Sequence, residues 1–510
     1  MSLLSYEPGL SLLFVSRSAN PCGNLIAALV LGALPALAFP ALAWWWLAWV
    51  GLVPLLLLVR AAPSAWAGAA RAWCGLAGFV LATQYWLVTS AGPLLVLLAI
   101  GLGALWLPWG WLAHRLLAAP VGFRRTVAAV VVLPSAWLLA EVVRSWPPLG
   151  GSWASLGASQ AAQPVTLASA SLGGVWLTSF LVAACNTALV GVLVHRNALG
   201  RAVALGCAVV CVAVGPLWYG LGPSPSGGAT VRVALVQPGQ IADAGERLEA
   251  GEALTAGLAG QRLDLVVWGE SSVGSDLTGH PEVLARLADL SRRVGADLLV
   301  NVDAPAPGGG IYKSAVLVGE TGVLGSYRKT RLVPFGEYVP LRTLFGWITR
   351  HSRAAAQDRQ RGTGPVLLHA GDLPIGPLVS YETLFSDLAR REARLGAGLL
   401  VYQSSTSSFQ GSWAQPQLAA QPAVRAVEAG LPAVHVGLSG DSSAFDARGR
   451  RLAWCPSGFR GVTVVSVPMG STATPYVRLG DWVPVLAVVI LVGAVLLTWR
   501  RLGRGATLRG

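Results

Sequence analysis

Of the 510 residues, 54% are hydrophobic and only 12% are charged. Soluble domains carry about 25% charged residues, so a purely water-soluble protein is excluded. The formal charge of +13 invites a nucleic-acid partner, but many arginines stand at the ends of apolar runs, where they report membrane orientation, and no nucleic acid is expected. The six cysteines, Cys22, Cys74, Cys185, Cys207, Cys211 and Cys455, form no C-x-x-C pair and no disulfide framework. The six histidines are scattered without H-E-x-x-H spacing, so no metal and no cofactor is expected.

A spanning helix needs roughly 20 apolar residues. Met1 to Asn20 lacks the basic, apolar and small succession of a signal peptide, so none is expected. Candidate spans then follow near 24–39, 41–59, 72–90, 93–113, 126–143, 165–194, 201–221 and 483–499. The sixth is long enough to include a non-spanning entry segment. Trp44, Trp45, Trp46 and Trp49 fit one membrane interface, and Trp106, Trp109 and Trp111 another. With eight spans, Arg17, Arg60, Arg71, Arg115, Arg124, Arg125, Arg196, Arg201 and the arginines after 499 all fall on one side, against Arg144 alone on the other. The positive-inside rule therefore predicts cytoplasmic termini and a domain outside the cytoplasm. The expected organisation is a helical bundle over 1–223 with about seven spans, an α/β domain over 224–481, and a last span with a basic tail over 482–510.

Within 224–481, strands are expected at Val231 to Gln237, Leu263 to Trp268, Leu298 to Val302, Leu373 to Val379, Leu399 to Gln403, Ala433 to Gly437 and Val462 to Val467. Helices are expected up to about Gly260, over Pro281 to Val294 and up to about Arg394. A hairpin is read around Glu320-Thr321-Gly322. Periodicity alone makes this α/β with mixed strands and no particular fold.

Three stretches at strand ends carry candidate chemistry. V-V-W-G-E-S-S ends on Glu270. Y-R-K-T-R-L-V-P-F-G-E-Y-V-P-L, from Tyr327 to Leu341, holds Lys329 and Glu337. L-V-S-Y-E-T-L holds Ser380, Tyr381 and Glu382. Only two lysines, Lys313 and Lys329, occur in this arginine-rich chain, and a lysine kept where arginine is the default points to a need for a compact ammonium. Taken singly, Lys329 reads as an exposed residue of a Pro/Gly turn and Glu270 as a solvated loop carboxylate. The pair Glu141 and Arg144 anchors a helix end at the interface or binds a lipid headgroup. The stretch from Leu341 to Gly362 reads either as a solvated loop or as a cover that dips Phe345, Trp347 and Ile348 into the interface while its arginines meet anionic headgroups.

Taken together, these stretches resemble the motifs of the apolipoprotein N-acyltransferases, membrane-embedded members of the nitrilase superfamily with a Glu-Lys-Cys triad. A-E-V-V-R-S-W-P-P-L-G-G-S-W at 140–153, Gln160, the Gly173-Gly174-Val175 step and T-P-Y-V-R-L-G-D-W at 474–482 extend the resemblance over nearly the whole chain. It implies an α-β-β-α nitrilase-like sandwich outside a bacterial cell membrane. Glu270 is implied as general base and Lys329 as oxyanion stabiliser, with Ser380 in the nucleophile position and Glu337, Tyr381 and Glu382 in support. A phospholipid would be the acyl donor and the N-terminal diacylglyceryl-cysteine of a lipoprotein the acceptor.

The departures lie in the reacting centre. The family's nucleophilic cysteine is Ser380, the proline usual before the base is Gly269, and a loop usually rich in Asn, Asp and Trp reads S-S-T-S-S-F-Q at 404–410. A thiol has a pKa of about 8.5, and a hydroxyl even ~4 units less acidic adds about 5 kcal/mol at 1.36 kcal/mol per unit. Serine enzymes meet that cost with a histidine base; no histidine lies in these motifs, and His369 and His435 are candidates to approach them in space. Beside acyl transfer through an acyl-enzyme stand two alternatives: an inactive homologue that binds lipid or lipoprotein or assists an active paralogue, and a partner of a polyprenol-phosphate sugar transferase.

Overall fold

A computed structural model describes residues 20–118, 122–225, 229–307, 309–350 and 358–507. Arg17 and Arg509, among the arginines used above to read orientation, lie outside them, as do the side chains of Phe345 and Ile348.

Among the described residues six helices are long and apolar enough to cross a membrane: Pro21–Ala38, Ala65–Ala91, Leu94–Leu117, Phe123–Arg144, Ala170–Val194 and Ala198–Leu221. The chain is a membrane protein. The expected span at 41–59 is a shorter apolar segment, Trp45–Arg60, broken between a 3-10 turn at Trp45–Trp49 and a helix at Val53–Arg60. The sixth expected span divides as its length required. A short helix at Pro164–Leu167 precedes Ala170–Val194, and within the latter Gly173 and Gly174 leave helical geometry, Gly174 with φ +72°. The last helix runs over Trp482–Thr507.

Among the described residues the second half contains twelve strands: β1 (Thr230–Gln237), β2 (Leu265–Trp268), β3 (Asp297–Pro305), β4 (Ile311–Gly319), β5 (Gly322–Arg328), β6 (Leu368–Ala370), β7 (Leu373–Val379), β8 (Leu399–Ser404), β9 (Ala433–Gly437), β10 (Ser442–Phe445), β11 (Arg451–Cys455) and β12 (Gly461–Pro468). They make two six-stranded sheets, ordered β12-β1-β2-β3-β4-β5 and β11-β10-β9-β8-β7-β6. Each has a parallel centre, β1-β2-β3 and β7-β8-β9, flanked by antiparallel strands. Parallel neighbours need helical crossovers, and helices Ala244–Ala256, Pro281–Val294, Ser386–Leu395 and Ala414–Ala429 supply them.

Strand alternation builds the layers. On β1, Ala234 and Val236 face the helices carrying Leu248, Leu287 and Leu290. Val233 and Leu235 face the opposite way, into a core shared with Ile375, Leu399 and Val401 of the second sheet. The result is an α-β-β-α sandwich. That second core runs without a break into the membrane helices. Gln403 stitches the sheets together, donating to the Trp268 and Leu299 carbonyls at 2.9 and 3.0 Å.

The two halves are also joined by polar contacts. The break at Gly173-Gly174 frees the Val175 N–H, which donates to the buried Glu428 carboxylate at 2.6 Å. Trp153 donates to Gln417 at 2.7 Å. Trp86, in the turn after helix Ala65–Gln84, packs its ring 4.7 Å from both Trp153 and Phe409.

Candidate active site

The three stretches converge where the parallel strands end. Glu270 follows β2 and is 5% exposed. Its backbone N–H donates to the Ser404 carbonyl at 3.1 Å, and its Oε2 accepts the Ser405 N–H at 3.1 Å, so the carboxylate is held against the end of β8. Gly269 leaves no space for a side chain: a Cβ there would fall 2.3 Å from the Leu438 nitrogen. The segment after β9 has closed onto that position.

Lys329 follows β5 and is 1% exposed. Its Nζ lies 3.2 Å from Glu270 Oε1 and 2.9 Å from Glu337 Oε1. Burial works against this charge, but the Glu270 and Glu337 carboxylates outweigh it and hold the ammonium above the usual lysine range. Lys329 is therefore a fixed cation at neutral pH, not a proton acceptor.

Ser380 follows β7 in the left-handed region, with φ +51°. Such a turn is strained for a residue with a Cβ. Glu382 secures it. Fully buried, its Oε2 accepts the Val379 N–H at 2.8 Å. Its Oε1 accepts from Tyr327 Oη at 2.7 Å, Thr330 N at 2.8 Å, Thr330 Oγ1 at 2.7 Å and Arg331 N at 2.9 Å. One carboxylate thus ties the Ser380 turn to the backbone just after Lys329. Val379 pairs with Gln403, so Ser380 and Ser404 leave adjacent parallel strands side by side.

Tyr381 and Phe385 lie against the membrane half: a Cβ on Gly151 would meet the Phe385 ring at 3.0 Å and the Tyr381 hydroxyl at 3.1 Å. Burial pushes the Tyr381 hydroxyl well above the usual phenol range, so it acts as a neutral donor.

Sequence reasoning missed several participants. Lys313, on β4, reaches within 3.5 Å of Glu270 Oε1 and 3.1 Å of Asp303 Oδ1, and donates to Ser271 Oγ. Its rarity as one of two lysines was the available signal. Arg359, expected among the headgroup-binding arginines, instead lies 3.3 Å from Glu337, while Arg342 pairs with Asp358. Trp347 is half exposed, beside the exposed Leu341 and Leu344. Glu141 and Arg144 are buried inside the bundle. Glu141 accepts the Leu156 N–H at 2.7 Å and Trp137 Nε1 at 3.0 Å, and Arg144 lies over the Trp106 ring at 5.8 Å.

The histidine question resolves away from Ser380. His369 lies on edge strand β6 with its side chain exposed. His435 Nδ1 lies 3.1 Å from the Asp441 carbonyl, which can only accept, so that nitrogen carries the proton and Nε2 accepts from Ser404 Oγ at 2.8 Å.

Residues 31–188 match the apolipoprotein N-acyltransferase N-terminal domain and residues 232–474 match carbon-nitrogen hydrolase. The apolipoprotein N-acyltransferase of Azotobacter vinelandii is 31% identical over 97% of this chain and 98% of its own length. The chain belongs to the apolipoprotein N-acyltransferase family. The Geobacter metallireducens protein of the same name is 29% identical, over 91% of this chain and 93% of its own. An amidase from Nesterenkonia shares 20% identity with a TM-score of 0.37, over 50% of this chain and 95% of its own.

Proposed function

We propose that this protein transfers an acyl chain from a membrane phospholipid to the free α-amine of a diacylglyceryl-modified lipoprotein cysteine, through an ester on Ser380. The observation that carries the reading is the pair of constraints on Lys329. Its ammonium contacts Glu270, and Glu382 locks the following backbone to the Ser380 turn. Base, cation and nucleophile position thereby become one rigid unit, as near-attack geometry requires.

In the first half-reaction Ser380 Oγ attacks the ester carbonyl carbon and its proton passes to Glu270. Lys329 offsets the negative charge that develops on the carbonyl oxygen. Collapse expels the lysophospholipid alkoxide, which takes the proton from Glu270. In the second, the lipoprotein amine attacks the Ser380 ester and Glu270 accepts a proton from it. Ser380 Oγ leaves and regains that proton, and an amide remains.

The orientation belongs to the same proposal. Eight apolar helical segments among the described residues, six long and two shorter, with arginines gathered on one side, support cytoplasmic termini and an extracytoplasmic α/β domain. Asp441, buried between Trp454 and Ser457, is unsuited to labelling. A cysteine at the exposed Glu246 should react with an impermeant reagent in intact cells, and reaction only after the inner face is opened contradicts the orientation.

Mass spectrometry of lipoprotein N-termini, in cells with this gene as the sole family copy, tests the activity. N-acylation that disappears with Ser380→Ala is expected. Ser380 in place of cysteine also defines a competing reading, a lipid-binding protein that assists a cysteine-bearing paralogue. Free N-termini in those cells, with acylation restored by adding the paralogue, favour it.

A further inference from the structure

Both lysines of this chain end on the same oxygen of the same carboxylate. Lys329 Nζ is 3.2 Å and Lys313 Nζ 3.5 Å from Glu270 Oε1. They are backbone neighbours as well, because the Lys329 N–H donates to the Lys313 carbonyl at 2.9 Å. Two like charges at facing positions of a strand pair repel, and both side chains are 6% exposed or less. Such an arrangement is stable only with anions placed between and beside the cations.

The structure meets that condition with a line of alternating charge. Asp303 lies 3.1 Å from Lys313, Lys313 3.5 Å from Glu270, and Glu270 3.2 Å from Lys329. Lys329 is then 2.9 Å from Glu337, and Glu337 3.3 Å from Arg359. Three carboxylates face three cations. Lys313 also fixes the residue after the base: Ser271, left-handed with φ +59°, receives Lys313 on its Oγ, donates its N–H to Asn301 Oδ1 at 2.9 Å and gives its carbonyl to Arg247 Nε at 3.1 Å.

We propose that Lys313 is a second ammonium of the reaction centre, a positioning residue that acts through its direct contacts with Glu270 and Ser271 and not through the net charge of the cluster. This rests on Ser380 and Glu270 acting as proposed above. The need is sharper here than with a thiol, because a hydroxyl must shed a more tightly held proton. Without Lys313, Glu270 Oε1 loses one of its two ammonium contacts and the Ser271 turn loses a donor to its hydroxyl, whatever the net charge of the cluster.

The test uses the full-length protein in phosphatidylglycerol vesicles, with a fluorescent-acyl phospholipid as donor and a diacylglyceryl-cysteine peptide as acceptor. Lys313→Met should lower kcat about tenfold or more with donor KM little changed, and Lys313→Arg should recover part of the loss. The decisive variant is Lys313→Met with Asp303→Asn, which removes one cation and one anion together. If Lys313 only neutralises Asp303, the double variant regains wild-type kcat and the proposal fails. If Lys313 acts on Glu270, the double variant stays slow. Loss of folding in both variants also overturns the idea, since Lys313 would then be a structural ion-pair partner.

A second readout is independent of acyl transfer. In a Ser380→Cys background, the rate of alkylation by iodoacetamide reports the electrostatics of the turn whether or not lipid is turned over. That rate should fall several-fold on adding Lys313→Met and remain low in the presence of Asp303→Asn. An unchanged rate overturns the proposal. Normal alkylation sensitivity without acyl transfer by the wild type would instead count against the acyltransferase reading.

Discussion

The Tyr381 hydroxyl donates to the Pro147 carbonyl at 2.9 Å, across 234 positions of sequence. Tyr381 is the residue after Ser380, and Pro147 lies in the connection between two membrane helices, Phe123–Arg144 and Ala170–Val194. One hydrogen bond therefore sets the Ser380 turn against the membrane half. Tyr381→Phe keeps the edge-to-face packing on Phe385, whose ring centroid is 5.0 Å away, and removes only that bond. A stability loss of about 1 kcal/mol is expected. Transfer from a vesicle-borne donor should slow more than transfer from a short-chain soluble ester. Equal slowing with both donors would mean that the contact does not serve the membrane side.

Glu382 presents a harsher case. All five of its hydrogen-bond partners donate, so the site is built for an acceptor alone. Glu382→Gln turns one acceptor oxygen into a donor facing other donors. The penalty for such unmatched buried groups is about 1–3 kcal/mol, and both the Lys329 exit and the Ser380 turn should loosen. Thermal unfolding in detergent measures the first effect and loss of acyl-enzyme the second. An unshifted midpoint would show that the turn is held elsewhere.

The apolar runs and the long strands were legible because burial imposes periodicity on sequence. Helix Pro281–Val294 coincides with its expected limits, with Pro at its first position and Gly295 past its end. Helix Ala414–Ala429 left no such trace. It is buried almost all round, contains Pro422 and carries three glutamines and an Arg-Glu pair where a periodic apolar face was sought. The short strands β6, β10 and β11 were equally silent. At the candidate site, the resemblance to the family's motifs indicated Glu270, Lys329, Glu337 and Ser380. Lys313 and Arg359 were out of reach, because their meeting with Glu270 and Glu337 depends on strand pairing and chain return that no local pattern encodes.

His435 makes a prediction about pH. Burial lowers it from 6.5 to about 4, so the folded chain refuses a proton that the unfolded chain accepts. Stability should fall as pH drops from 6.5 to 4, by up to about 3 kcal/mol from this group. Glu392 acts in the opposite sense: burial raises it from 4.5 to about 8, so its contribution is present below 4.5 and fades as pH climbs to 8. The informative quantity is the difference between wild type and His435→Gln, in which Glu392 cancels. That difference in unfolding midpoint should vary with pH between 6.5 and 4 and be flat above 7. A difference flat throughout would mean that His435 is solvated in the working protein.

The substitution that matters most is at Ser380. Its φ of +51° is equally strained for serine and cysteine, since both carry a Cβ, so Ser380→Cys should fold as the wild type does. The chemistry changes far more than the shape. A thiol loses its proton more readily than a hydroxyl by an amount worth about 5 kcal/mol if the gap is only ~4 units, and the Lys329 ammonium favours the thiolate further. With a phospholipid donor, intact-mass analysis should show acyl-enzyme forming at least about a hundredfold faster in Ser380→Cys than in the wild type. Ser380→Ala should form none, and Glu270→Gln and Lys329→Ala should suppress both nucleophiles. A silent wild type beside an active Ser380→Cys would mark a site whose architecture is intact and whose hydroxyl is too weak. Silence in both would place the fault in the surroundings, where Gly269 and the 404–410 loop depart from the family pattern. Undiminished transfer by Ser380→Ala would remove Ser380 from the mechanism altogether.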